Sequence, residues 1–578
     1  MLGFLAVCLL AGGLLAWRLK PDAIGDYLKL SVNAKTARAR GDEVLRHRGV
    51  DPNSYIRATL FVNMTDGGAS EFLRERIGVA RLNDIYATQV PGALWQVRYF
   101  RDSQPEEYSV KLQPDGSLFA VNHKLAEESP GASLSKEDAV TRAEKFLTAE
   151  KKIDLKQWSL VESRSDRRPH RVDHLLTWQQ NTPLDGSSSS SSDADNHAYA
   201  RIKIAVLGDE VTDYRSSYYW QGAGTPEGEG TYGTYIKVPD DWRRKQEELT
   251  ISRMIFTIAI PILVLGGLGI TAFVIFLKNL RSDDARSIPW KRLSLWAIWG
   301  FGGFVLVFAL GNAIPAFLGQ YDTAQPLKFW IGTFAIGGIV GGPFSAGLLA
   351  LVFGMAWYFA KRTFVEETFP GWTGMPAAYY RDALFIGLGG AGALIGLQTI
   401  LQAVSQHWPT AHRSAGAAFG TDFDAYFPFA AVLGASLRHS LLFTGVVALA
   451  ASFIVSQMRA PWLRAVVFLM GTLALMSGNW GNAADFAKQW VAELVVLSAI
   501  FLGVRYVMRF NILGCFLVLA IITLVSDAAE FLGQPDRFYR LNGYGVVAVL
   551  VALLAWPVFA WRMRAGESPV AAPTENPL

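Results

Sequence analysis

Charge is the first thing this chain is short of. Only 18% of its 578 residues are Asp, Glu, Lys or Arg, where soluble globular proteins carry about 25%. The shortage is uneven. Charges are dense from Pro21 to Thr250, and from Ile251 on they shrink to short clusters between long apolar runs. Cysteine is scarcer still: Cys8 and Cys515 both sit in apolar segments, which excludes a disulfide framework and a cysteine metal site. With a net charge of +4 and no basic patch interleaved with aromatics, no nucleic-acid partner is expected.

What is there in quantity is apolar sequence, 51% of the chain, in runs that match the ~20 residues needed to cross a bilayer. Spans are expected at 2–17, 252–277, 294–318, 329–358, 382–403, 427–455, 464–480, 489–504, 510–527 and 543–561. The first has no basic residues before it and no small-residue cleavage site after Trp17, and Cys8 comes too early for a lipoprotein box, so it reads as an uncleaved anchor. Basic residues in short loops set the orientation. If the loop holding Lys278, Arg281, Arg286, Lys291 and Arg292 is cytoplasmic, the alternate loops bring the total on that side to fourteen Lys and Arg, against five on the other (Lys328, Arg413, Lys488, Arg537, Arg540). Arg18 and Lys20 oppose this, but they precede a long translocated segment. The expected fold is a multi-pass α-helical membrane bundle of about nine C-terminal transmembrane helices plus an N-terminal anchor, with an α+β extracytoplasmic domain. The divisions are 1–20 for the anchor, 21–250 for the domain, 251–378 for the helices preceding the core, 379–565 for the core and 566–578 for a cytoplasmic tail. The bilayer is thus an expected partner.

Within 21–250 the pattern changes period. Residues 37–48 and 135–149 read as amphipathic helices, the second opening on Ser135 with Asp138 three residues on. Trp95–Phe100, Tyr108–Leu112 and Ser117–Val121 alternate like strands around the Pro114-Asp115-Gly116 turn; His174–Trp178 and Ala200–Val206 do the same later, with a serine run, Ser187–Ser192, between them. Two units in tandem are expected, at about 21–130 and 131–235. His123, His170, His174 and His197 are not spaced as metal pairs. The order helix, Trp-x-Val, then a strand ending in Asp-Gly-x-Leu resembles PepSY-type domains. That resemblance implies a module that binds a peptide or protein ligand rather than an enzyme.

Ionisable residues inside a bilayer are costly and functional by default, and the bundle looks poor in them. His407 and His412 read as loop residues; Arg438 and His439 fall within a span; Asp485, Asp527 and Glu530 fall near span ends on the outside, where they read as capping or snorkelling residues rather than catalytic ones, with cation binding by an outward acidic cluster as the alternative. The glycine clusters at 337–342 and 387–392 read as close helix packing rather than a broken, site-lining helix.

The layout of anchor, polar domain, the Lys237–Trp242 approach to the membrane and the Thr368-Phe369-Pro370-Gly371-Trp372 segment resembles the long bacterial form of the CPBP family, intramembrane metalloproteases that include type II CAAX prenyl endopeptidases. The resemblance implies a zinc site built from Glu-Glu-x-x-x-Arg, a histidine on a second helix, and a histidine with Asn or Asp four residues on. Here His439 and Ser440 stand where the glutamates belong and Thr444 where the arginine belongs. Asn479 stands at the second-motif histidine and Thr523 at the third, and Asp527 alone fits. Hydroxyls and an amide hold a transition metal poorly, so no cofactor is expected and the family's catalytic set is degenerate. A literal pair, Glu366-Glu367, lacks the following arginine and falls in a loop. With His439 it would be the ligand set of an alternative, zinc-dependent peptidase.

Overall fold

The computed structural model describes residues 2–186, 196–213, 233–298, 312–361, 375–408, 423–476, 480–508 and 511–565. After a first helix, α1 (Leu2–Leu19), comes an α+β domain. Helix α2 (Ala34–His47) starts where the Asn33 side chain accepts the Thr36 amide, and its Ala37, Gly41 and Leu45 line one buried face. That face lies on an antiparallel sheet ordered β1 (Ile56–Asn63), β2 (Ala93–Phe100), β3 (Glu107–Leu112), β4 (Leu118–Lys124). The approach is close: a Cβ on Gly41 would come within 2.7 Å of the Tyr99 hydroxyl, which donates to Asp42 Oδ1 at 2.9 Å. Trp95, Val97, Tyr99, Val110 and Leu112 make the core beneath it. The β3–β4 turn needs its glycine, since Gly116 has φ +83° while the Asp115 carboxylate accepts the Ser117 amide.

Between β1 and β2 the chain forms α3 (Gly67–Thr88), which bends at Gly78 (φ 77°, ψ 172°). The alternation that identified the strands gave no warning of this helix. The second unit repeats the plan. Helix α4 (Lys136–Ala149), capped by Ser135 on the Asp138 amide, covers a sheet ordered β5 (Trp158–Arg167), β6 (Val172–Gln180), β7 (Tyr199–Leu207), β8 (Glu210–Asp213), with β9 (Gly233–Lys237) also paired to β7. Ala139, Ala143, Leu147, Trp178, Ile202 and Ile204 form its core.

One histidine ties the two sheets. His123 on β4 is half-buried against Tyr108, rings stacked 4.1 Å apart, and its two nitrogens meet Glu106 and Glu210 at 2.9 Å each. Burial alone would lower its pKa; the two hydrogen-bonded carboxylates outweigh burial and raise it. A histidine raised in the folded state stabilises fully below its unfolded pKa of about 6.5, and that stability drains away as pH climbs through the folded value. The domain is therefore expected to lose thermal stability as pH rises from about 6.5. Melting His123→Gln alongside the parent at pH 6 and pH 8.5 checks this, because the variant should show a flatter profile.

From Asp240 the chain is mostly helical: α5 (Asp240–Lys278), α6 (Ile314–Gly319), α7 (Leu327–Lys361), α8 (Ala377–Ser405), α9 (Pro428–Gln457), α10 (Pro461–Ala474), α11 (Ala483–Leu502), α12 (Ile512–Leu532) and α13 (Arg537–Ala565). Seven of them, α5, α7, α8, α9, α11 with its continuation to Val507, α12 and α13, are long and apolar enough to cross a membrane. Among the described residues the helices that qualify thus number seven, against the expected count of about nine. The span expected at 464–480 is a helix of 14 residues, Pro461–Ala474, and the one expected at 294–318 is described only at its ends. Helix α5 contains two wider π-type turns, Ile255–Ala259 and Ile262–Gly266.

The two glycine clusters differ. At 387–396, small residues let helices touch: a Cβ on Gly12 of α1 would lie 1.8 Å from the Gly392 carbonyl oxygen, and Gly389 and Gly396 meet Leu5 and Gly12. At 337–342 helix α7 runs on unbroken through Pro343, and Gly337 and Gly341 face open space.

The domain sits on one set of helix ends. Asp536 N donates to Leu30 O at 3.1 Å, Leu30 N to Gln534 Oε1 at 2.9 Å, and Phe61 N to Asp424 Oδ2 at 3.2 Å. Arg98 reaches from β2 to the carboxyl end of α6 and donates to the carbonyls of Gly319 and Tyr321 at 2.9 and 2.8 Å. The basic clusters at 278–292, 459–464 and 562–564 lie at the opposite ends of these helices.

Candidate functional site

Polar side chains gather at two places: the α9–α12 seam, where Ser436, Ser440, Thr444, Thr523 and Asp527 fall, and the seam between domain and bundle. In the first, Ser436 Oγ donates to Asp527 Oδ2 at 2.9 Å, joining α9 to α12. One and two turns further along α9 stand Ser440 and Thr444, both fully buried. The Thr444 hydroxyl donates to the Ser440 carbonyl at 2.6 Å, and Thr523 donates back to its own helix at Leu519 and Ala520. Such bonds occupy a hydroxyl without building a site. The Ser440 hydroxyl is buried with no hydrogen-bond partner. Beside Thr444 and Cys515 a cavity of about 20 Å³ offers room for one water. His439 turns away: it is exposed and its ring stacks on Phe443 at 4.4 Å. Glu366, Glu367 and Asn479 lie outside the described residues, as do Thr368–Trp372, the Ser187–Ser192 run, His412 and the 566–578 tail. Among the described residues no group of three His, Cys, Asp or Glu side chains comes together as a metal site. The seam offers one carboxylate, already bonded to Ser436, amid neutral hydroxyls, and that donor set does not fit zinc.

The second place joins three elements. Helix α3 presents Glu71, Arg74 and Glu75 on one side. Arg253 of α5 lies 3.6 Å from Glu71 and donates to the Trp480 carbonyl at 2.6 Å. Asn482 caps α11 by accepting the Asp485 amide, and Lys488 lies 3.3 Å from the Asp485 carboxylate. Down α11 from this mouth, Asp485, Gln489 and Glu493 follow at four-residue spacing and are only 1, 3 and 4% exposed. That spacing puts all three on one face of a membrane-length helix. The expectation of a bundle poor in buried ionisable groups is corrected here. A span expected at 489–504 separates Asp485 from Gln489 and Glu493 beneath it; the i, i+4, i+8 pattern is the signal that joins them. Burial, with Glu71 and Asp485 nearby, pushes the Glu75 carboxyl up to about 7.

Arg74 is the odd member. It is 2% exposed, and none of its three guanidinium nitrogens has a hydrogen-bond partner among the described residues. Burial lowers its pKa while Glu71 and Glu75 oppose the shift, yet a guanidinium stays charged. A buried charge without bonds is destabilising by several kcal/mol, so the position asks for a partner.

Comparison with protein-family models, with curated proteins and with solved structures gave no match. The chemistry is therefore argued from this chain alone. The two seams differ in what they can do. The first is a packed hydroxyl stripe. The second holds opposed charges at the point where a polar domain rests on membrane-length helices.

Proposed function

We propose that this chain is an integral membrane regulator or scaffold, CPBP-like in layout and lacking that family's catalytic donors. In this reading nine spans and the anchor hold it in a bacterial cytoplasmic membrane. The domain faces out, its two PepSY-like units bind a peptide or protein, and occupancy is passed to the bundle. The observation that carries the proposal is the charged seam: Glu71, Arg74 and Glu75 of the domain meet Arg253 and Asp485 of the bundle. The placement of the basic clusters away from the domain supports the orientation. A transporter is the second reading, favoured by the buried Asp485–Gln489–Glu493 stripe.

Metal analysis of the purified chain separates regulator from peptidase. The regulator is expected to carry well under one zinc per chain, and Glu367→Ala is expected to leave its behaviour unchanged. One zinc per chain, together with peptide cleavage that Glu367→Ala abolishes, would install the peptidase reading instead. Solute flux in proteoliposomes lost on Glu493→Gln would install the transporter.

A further inference from the structure

We propose that Arg74 and Arg253 form an anion site where α3 meets the domain-side ends of α5 and α11, and that it takes the phosphate of a phospholipid headgroup.

Of the three cations at the seam, only Arg74 makes no hydrogen bond among the described residues. Arg253 faces Glu71 at 3.6 Å, and Lys488 faces Asp485 at 3.3 Å, with Asn482 Nδ2 donating to the same carboxylate at 2.7 Å. That leaves Arg74 and Glu75, neighbours on α3. Glu75 is half-buried, and with its carboxyl raised to about 7 it carries only part of a negative charge at neutral pH. Arg74 is permanently cationic, buried and without a hydrogen bond on any of Nε, Nη1 and Nη2. A planar fork of five N–H donors matches the oxygens of a phosphate or a carboxylate two at a time.

The surroundings point to lipid as the source of that phosphate. Arg253 stands where α5 turns apolar: Ile251 is 71% exposed, and Met254 and Ile255 are also exposed. Next to it Phe256, Trp480 and Phe486 pack edge to face, with ring centres 4.9–5.7 Å apart. An aromatic cluster beside an arginine at the end of an apolar span is the usual signature of headgroup depth. A soluble peptide carboxylate would meet an apolar rim there; a phospholipid would cover that rim with its chains. The inference rests only on the chain being in a membrane, and it stands or falls apart from the regulator reading.

The test uses the full chain purified in detergent, titrated with phosphatidylglycerol, with diacylglycerol of the same chains, with inorganic phosphate and with a short peptide bearing a free C-terminus. Native mass spectrometry reads the bound species. Phosphatidylglycerol is expected to bind and diacylglycerol to fail. Arg74→Gln should weaken binding about tenfold or more, Arg74→Lys should fall between, and Arg76→Gln, an arginine paired with Asp185 on another side of α3, should match the parent. Equal binding of diacylglycerol would overturn the proposal, as would Arg74→Gln binding within twofold of the parent. Displacement of the lipid by inorganic phosphate or the peptide at equal concentration would overturn the lipid assignment. If Arg74→Gln does not fold, the contrast between the two lipids on the parent chain still decides.

Discussion

Arg98→Met is expected to cost about 3 kcal/mol, the lower end for breaking a buried ion pair, and to separate the melting of the domain from that of the bundle. Arg98 Nε donates to Glu107 at 2.5 Å, with both side chains under a tenth exposed, while Nη1 holds the last carbonyls of α6. Removing it strands a buried carboxylate and leaves a helix end uncapped. Lys124, 3.2 Å from Glu107, softens the loss, which is why the lower figure applies. Arg98→Lys should rescue little, because one ammonium cannot serve Glu107 and two carbonyls from the same place. Thermal unfolding followed separately by far-ultraviolet dichroism and by hydrogen exchange at β2 and α6 would show two transitions in the variant. A single unchanged transition would mean that the domain is not docked through Arg98.

Gly12→Leu is expected to be the most damaging single change among the membrane helices. The added Cβ alone would stand 1.8 Å from the Gly392 carbonyl oxygen, and backbone cannot yield as a side chain can. Overpacking of this kind costs about 1–3 kcal/mol where neighbours adjust, and more where they do not. Either α1 leaves its seat on α8 or both helices shift. Gly13→Leu, one residue on with nothing within 4 Å, should be close to neutral. Comparing the detergent melting temperatures of the two variants checks the claim; similar losses would show that α1 is held by something other than this contact.

The strands at Trp95–Phe100 and Ala200–Val206 were legible because one face of each is apolar and the alternation survives. The helices of the bundle were legible because an apolar run of that length has few other uses. Helix α3 was not, for a physical reason: its Glu71 and Arg74 are buried and Glu75 half-buried against other charges, so its hydrophobic periodicity is blurred where it docks. The α11 stripe was hidden by a related habit, that of reading an apolar span as uniform and its polar residues as flanks. In the hydroxyl seam Ser440 and Thr444 face α12 while their neighbour His439 looks the other way, a difference of one residue that only helical phase decides. Long-range pairs such as Arg98 with the end of α6 leave no trace in local pattern at all.

The two π-type turns near the start of α5's apolar stretch have a mechanical consequence. Helix α5 is continuous from Asp240, two residues after the last sheet strand's exit at Val238, to Lys278. A π-type turn stores one residue more than an α turn. Drawing that residue out would turn everything beyond it by about 100° around the helix axis. The shaft joining the domain to the membrane thus carries its own slack just past Arg253, and a pull on the domain can be answered by rotation instead of by bending.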